Sequence, residues 1–132
     1  MDKKLPNLML NRVKAGFPSV SESECEYPLD LNELMVKNAP STFFVRVDGD
    51  SMQPAGIFAN DILVVDRSLD PVDKSIVIAC VNGEFTVKYF RRQNGKVWLQ
   101  AANKNYADIH FSGLMELKIF GVVTGLVRKF SK

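Results

Sequence analysis

Residues 42–132 read as a mostly β domain of antiparallel strands, preceded by an extended N-terminal arm over residues 1–41. Three observations carry that reading. From Thr42 onward the apolar residues gather into short runs rich in Val, Ile, Phe, Tyr and Trp, the residue types that suit a pleated, half-buried surface. Two Asn-Gly pairs, Asn82-Gly83 and Asn94-Gly95, each join two such runs, the strongest short-range hairpin signal. Before Thr42, Asn, Ser, Pro and Gly are frequent and the charges separate by sign. A chain of 132 residues is long enough for one real core and not for two.

In chain order, the arm begins basic, with Lys3, Lys4, Arg12 and Lys14 against Asp2. It continues acidic, with Glu22, Glu24, Glu26, Asp30 and Glu33 and no basic residue between 21 and 35. The one helical pattern spans residues 30–37, where Leu31, Leu34 and Met35 fall at i, i+3 and i+4 behind Asp30 as N-cap. Strands are predicted over 43–47, 62–66, 75–81, 84–92, 96–101 and 118–130. The two Asn-Gly turns, whose residues tolerate positive φ, make the third, fourth and fifth runs an antiparallel meander. Asp70-Pro71 and Gly121 mark bends or bulges. Gly125 interrupts the last run, which is either two strands or one bent strand.

Composition narrows the function classes. Apolar content of 46% and charged content of 24% are those of a soluble globular domain. A net charge of +2 predicts no strong nucleic-acid affinity by itself. Cys80 lies within an apolar run and is expected to be a buried thiol; Cys25 sits among polar residues, so no disulfide framework is implied and a reducing, cytoplasmic setting fits. One histidine and two scattered cysteines make no zinc site, and no cofactor is expected. No apolar run approaches the ~20 residues of a membrane span, and the basic start is followed by no long apolar region of the signal-peptide kind.

The chemistry-bearing stretch is Val47-Asp48-Gly49-Asp50-Ser51-Met52, a serine on a tight polar turn as the chain leaves a strand. Alone, Ser51 is an ordinary loop serine. In the run over 84–92, alternation puts Phe85, Val87 and Tyr89 on one face and Thr86, Lys88 and Phe90 on the other. Alone, Lys88 is an ordinary strand lysine. The run is apolar on both faces, however, and its hairpin partner is nearly all apolar, so Lys88 is expected in low-dielectric surroundings. A free lysine titrates at about 10.4, too high to accept a proton at neutral pH, and burial lowers that value by up to ~3–5 units. A neutral Lys88 could then serve Ser51 as general base. The backbone N–H groups of Asp50 and Ser51 are the candidates for an oxyanion site.

Four ordered motifs then carry a resemblance. Gly49-Asp50-Ser51-Met52 is followed by Asn60-Asp61-Ile62-Leu63-Val64-Val65-Asp66, by Gly83-Glu84-Phe85-Thr86-Val87-Lys88, and by Phe120-Gly121-Val122-Val123. In this order and at these gaps the chain resembles the LexA-like self-cleaving peptidase family, over nearly its whole length. The resemblance implies the LexA-like peptidase β-fold, Ser51 as nucleophile, Lys88 as general base, and the bond between Ala15 and Gly16 as the one cleaved. Asn60 stands where the family pattern often has Gly, and Asn tolerates the left-handed conformation such a turn needs. The short basic start, without a helix-turn-helix domain, sets the chain apart from the repressor branch. It points to the accessory subunits of the error-prone translesion polymerase of the SOS response. That branch implies a homodimer, a UmuC-like polymerase subunit, a RecA filament on single-stranded DNA that promotes cleavage, and a sliding clamp as partners. Two other readings stay open: a β-rich interaction module with a vestigial dyad, and a signal-peptidase-like enzyme, which the lack of an anchor segment disfavours.

Overall fold

The computed structural model describes residues 4–9, 15–16, 25–111 and 116–130. Asp2, Lys3, Arg12, Lys14, Glu22 and Glu24, all named in the arm, lie outside the described residues. Two compact units divide the chain, Met1–Met35 and Val36–Lys132.

In the first unit β1 (Asn7–Met9) pairs antiparallel with β2 (Cys25–Pro28), Leu8 standing opposite Tyr27. The Leu29 N–H donates to the Pro6 carbonyl at 2.7 Å and extends the ribbon by a step. Sequence pattern predicts no strand here, because runs of three and four residues are too short for a period of two to show. The predicted helix is present but shorter: α1 covers Leu31–Met35. Asp30 caps it as expected, its Oδ1 accepting from the Asn32 N–H at 3.0 Å. Leu31 and Leu34 stay exposed, so no packing extends this single turn, and helices this short gain little from propensity alone. The chain then passes into a 3-10 turn, Ala39–Ser41, whose first turn holds Pro40, a position that tolerates proline.

The second unit is a seven-stranded antiparallel sheet. Its strands are β3 (Thr42–Arg46), β4 (Ile62–Asp66), β5 (Ile76–Val81), β6 (Glu84–Gln93), β7 (Lys96–Gln100), β8 (Ile109–His110) and β9 (Leu117–Val127). Their spatial order is β3-β4-β9-β5-β6-β7-β8, so the last strand in sequence is inserted at the middle. Both Asn-Gly turns form as predicted: Asn82 and Gly83 take φ of 49° and 86°, Asn94 and Gly95 take 52° and 77°, the double positive φ of a hairpin turn whose twist matches the strands. β8, two residues long, has no sequence signature.

The last run is one bent strand. Against β5, Ile78 stands opposite Gly121 and Ala79 opposite Ile119, leaving Phe120 as an extra residue. Against β4, Val64 stands opposite Gly125 and Val65 opposite Val123, leaving Thr124 extra. Such bulges bend a strand and increase its twist. The resulting curl lets Phe120 of β9 touch both Phe43 of β3 and Phe85 of β6, with ring centroids 5.4 and 5.6 Å away. Gly121 is required at the bend, since a Cβ there would lie 2.6 Å from Val65 Cγ1.

One apolar cluster forms around Val47, Met52, Ile57, Leu63, Val65 and Ile78. A second gathers Val77, Ala79, Phe90 and Leu99. Buried Asp66 ties the segment before β3 to β4: Ser68 donates to it through both N–H and Oγ, Asn38 through Nδ2, and Ser41 through Oγ. Those donors, Ser68 first, hold its carboxyl down at about 2. Cys80, expected to be buried, is half-buried, because only part of its face of β5 is covered where β6 begins.

Candidate active site

Ser51 is presented by a turn whose two ends are pinned. Upstream, the Val47 N–H donates to the Asp61 carbonyl and the Asn60 N–H to the Val47 carbonyl, each at 2.8 Å. Asn60 has φ of 73°, so the left-handed turn expected of it is made. Gly49, with φ of 84°, turns the chain sharply, and Asp48 Oδ1 accepts from its N–H at 2.9 Å. Downstream, Met52 is 2% exposed and sits in the first core cluster, after which a 3-10 turn, Gln53–Ala55, ends at left-handed Gly56. Burying Met52 holds the backbone on one side of Ser51, while the serine faces a cleft of about 220 Å³.

Lys88 lies on β6 and is 7% exposed. Its Nζ is 3.0 Å from Ser51 Oγ, 2.8 Å from Thr86 Oγ1 and 3.2 Å from the Val87 carbonyl oxygen. Burial pushes its ammonium below the ordinary lysine value. Among the described residues no carboxylate pairs with it, so nothing anionic offsets that cost. Both faces of the strand are packed here, as predicted: Val87 and Tyr89 lie against the first cluster and Phe90 belongs to the second. Phe85, at the strand's start, is exposed.

Register creates the cleft. β7 pairs with β6 only from Tyr89 onward, so residues 84–88 have β5 on one side and an open edge on the other. The cleft is lined by Val45, Arg46, Asp48 and Gly49 from the chain leading to Ser51, and by Phe85, Thr86 and Val87 from the chain leading to Lys88. An extended peptide could pair with such edges as an added strand. Among the described residues, no hydrogen bond uses the N–H of Asp50 or of Ser51, and both remain available to an anionic oxygen.

The structure thus brings Ser51 and Lys88 together, across 37 residues of sequence. Ala15 and Gly16 form an exposed bend in the first unit, and the space around Gly16 is open, with nothing within 4 Å of where a Cβ would be. Three contributors were not legible in the sequence. Thr86 shares the face of Lys88, but its bond to Nζ was not anticipated. Asn103 donates from Nδ2 to the Asp50 carbonyl at 3.2 Å and from its N–H to the Ser51 carbonyl at 2.9 Å. Tyr106 donates from its hydroxyl to Asp50 Oδ1 at 2.6 Å. Some fifty residues separate these from the turn, and no local pattern links them. Among the described residues no cluster of His, Cys, Asp or Glu could hold a metal ion, and no helix is long and apolar enough to cross a membrane.

Comparison with known proteins agrees with the motifs. The family described as Peptidase S24-like matches residues 7–124. The chain belongs to the Peptidase S24-like family. Within it, Protein SamA of Salmonella typhimurium (strain LT2) is 40% identical over 122 residues, covering 92% of this chain and 84% of SamA. Protein MucA of Escherichia coli is 40% identical over 116 residues, covering 87% and 79%. LexA repressor 1 of Pseudomonas putida is 34% identical over 122 residues, 92% of this chain but 60% of the repressor. Membership in the Peptidase S24-like family agrees with the mostly β, antiparallel architecture and with the general class of self-cleaving serine peptidase.

Proposed function

We propose that this chain is a self-processing serine peptidase of the UmuD kind, which cuts its own Ala15-Gly16 bond with Ser51 as nucleophile and Lys88 as general base. The observation that carries the reading is the 3.0 Å contact between Lys88 Nζ and Ser51 Oγ in a buried setting with no carboxylate partner among the described residues. Neutral Lys88 takes the proton of the Ser51 hydroxyl as Oγ bonds to the Ala15 carbonyl carbon. The oxygen of that carbonyl becomes an oxyanion, met by the N–H groups of Asp50 and Ser51. The C–N bond to Gly16 then breaks, Lys88 returns its proton to the leaving amine, and water releases the acyl group from Ser51. Gly16 offers no side chain to obstruct the attack.

The substrate is tethered, so its high effective concentration replaces diffusional binding. The rate is then governed by how often the arm occupies the cleft. The shortened product serves as accessory subunit to a UmuC-like polymerase subunit in SOS mutagenesis, as a homodimer that also meets a sliding clamp. A RecA filament on single-stranded DNA promotes cleavage by raising occupancy of the cleft.

Mass spectrometry of the purified chain after incubation, at neutral and alkaline pH and with RecA, an ATP analogue and single-stranded DNA, tests this directly. The sign follows from the lowered value of Lys88: the base is active when deprotonated, so the rate rises with pH and levels off above that value. A new N-terminus at Gly16 is expected, absent in Ser51→Ala and in Lys88→Ala. A chain that stays intact under every condition sinks the peptidase reading and leaves an interaction module of the same family.

A further inference from the structure

The segment following β7 grips the serine turn at the points that orient its amides. Asn103 Nδ2 donates to the Asp50 carbonyl and the Asn103 N–H to the Ser51 carbonyl. The segment is itself braced, the Asn105 N–H donating to Asn103 Oδ1 at 2.9 Å and the Tyr106 N–H to the Asn103 carbonyl at 3.1 Å. A trans peptide is planar, with its C=O and N–H pointing opposite ways. The Asp50 carbonyl and the Ser51 N–H are two ends of one such plane. That carbonyl also accepts from the Gln53 N–H at 3.2 Å, and Asn103, the donor from outside the turn, helps to hold it so that the Ser51 N–H points the opposite way. Tyr106 fixes the same turn through a second handle, its hydroxyl on the Asp50 carboxylate, and its ring centroid lies 6.0 Å from Lys88 Nζ.

Resting on the function proposed above, we propose that Asn103 and Tyr106 are positioning residues of the cleavage reaction, setting the plane of the Asp50–Ser51 peptide so that the Ser51 N–H faces the oxyanion. Neither hydrogen-bonds to the reacting atoms. Both act through the turn. The Tyr106 hydroxyl keeps its proton to higher pH than an ordinary tyrosine, chiefly through its bond to Asp50, so the grip persists in the alkaline range where Lys88 loses its charge.

The test uses the full chain and a small fluorophosphonate, which reads Ser51 without the arm. In labelling, Ser51 Oγ bonds to phosphorus, fluoride leaves, and the serine proton passes to Lys88. Labelling and self-cleavage rates are measured against pH for the parent, Asn103→Ala and Tyr106→Phe, with thermal melts to show that each is folded. The plateau rate of each variant is expected to fall by about tenfold or more, the loss typical of a weakened oxyanion donor, with the midpoint of the pH profile unmoved. A merely structural role would move neither in a folded variant, and a plateau within threefold of the parent overturns the inference. If Asn103→Ala does not fold, Tyr106→Phe decides it under the same thresholds, since that side chain is exposed. A parent chain that is neither labelled nor cleaved at any pH would instead sink the nucleophile reading beneath it.

Discussion

A neutral amine has two hydrogens and one lone pair, and the surroundings of Lys88 Nζ match that count. Thr86 Oγ1 and the Val87 carbonyl accept the two hydrogens, and the remaining direction meets Ser51 Oγ. An ammonium ion would donate to all three, so the acceptors favour the charge while burial opposes it, and burial prevails in the direction of the shift. The consequence for stability can be signed. Between the lowered folded value and the ordinary 10.5, the unfolded chain holds a proton that the folded chain has lost, so stability rises with pH across that window. Below both values the buried charge is a full cost, and part of that cost remains anywhere below 10.5. Lys88→Met, made in a Ser51→Ala background to prevent cleavage, is therefore expected to melt a few degrees higher at pH 7. The gap should narrow as pH rises toward 10.5. Melting curves at several pH values check this, and a variant no more stable than its background at pH 7 would show that the two acceptors left there, Thr86 Oγ1 and the Val87 carbonyl, outweigh burial. Ser51 and Lys88 were legible through the four ordered family motifs, since a serine on a turn and a lysine on a strand are by themselves ordinary. The bond from Lys88 to Thr86 was not, since sharing a face with Lys88 does not dictate a rotamer.

Among the elements, β9 decides most. It is the last strand in sequence and pairs with β4 on one side and β5 on the other, joining the strand beside the serine turn to the hairpin that carries Lys88. Its two bulges supply the curl, and Gly121 lets the bend pass close to β4. A methyl group at Gly121 would meet Val65 Cγ1 at 2.6 Å and the Asp66 carbonyl oxygen at 3.2 Å. Val65 is fully buried and has little room to give. Gly121→Ala is therefore expected to cost about 1–3 kcal/mol, the usual range for overpacking, read as a lower denaturant midpoint with an unchanged m-value. Because Gly121 stands opposite Ile78, which lines the cleft, cleavage should slow as well. An unchanged midpoint would mean that Val65 shifts aside without penalty. The glycine was legible as a bend. The partner that requires it was not, because strand order is a long-range property.

At the scale of the molecule, charge changes along the chain. Residues 1–15 carry four basic and one acidic side chain, residues 16–35 carry five acidic and none basic, and residues 36–132 carry thirteen basic and nine acidic. Cleavage after Ala15 would remove the basic segment and move the net charge from +2 to −1, new termini aside. The 35 steps from Gly16 to Ser51 could stretch to roughly 115 Å, enough to reach the active site of the same chain or of a second copy. Removal of the basic segment is expected to change partner choice in part through charge. A Ser51→Ala chain with Lys3, Lys4, Arg12 and Lys14 changed to Gln should bind the polymerase subunit more nearly as the product of residues 16–132 does. Titration of all three forms at low and moderate salt checks this, and affinities equal to those of the intact chain would remove the electrostatic part of the idea.

Local rules were enough to read the strands of the meander, both Asn-Gly turns and the Asp30 cap, because each depends on neighbours in the chain, whereas the left-handed Asn60 was read from the family pattern. Those rules offered Ser51 and Lys88 only as a possible pair, which the ordered family motifs joined. They did not reach the insertion of β9 between β4 and β5, the open edge of β6, the ribbon of β1 and β2, or the grip of Asn103 and Tyr106 on the serine turn. These depend on which distant backbone groups find one another, and the free energy of such pairings comes from burial and hydrogen bonds formed only after the chain has closed long loops. The 3.0 Å between Lys88 and Ser51 is of that second kind: residue types made it conceivable, and packing of the two core clusters made it a distance.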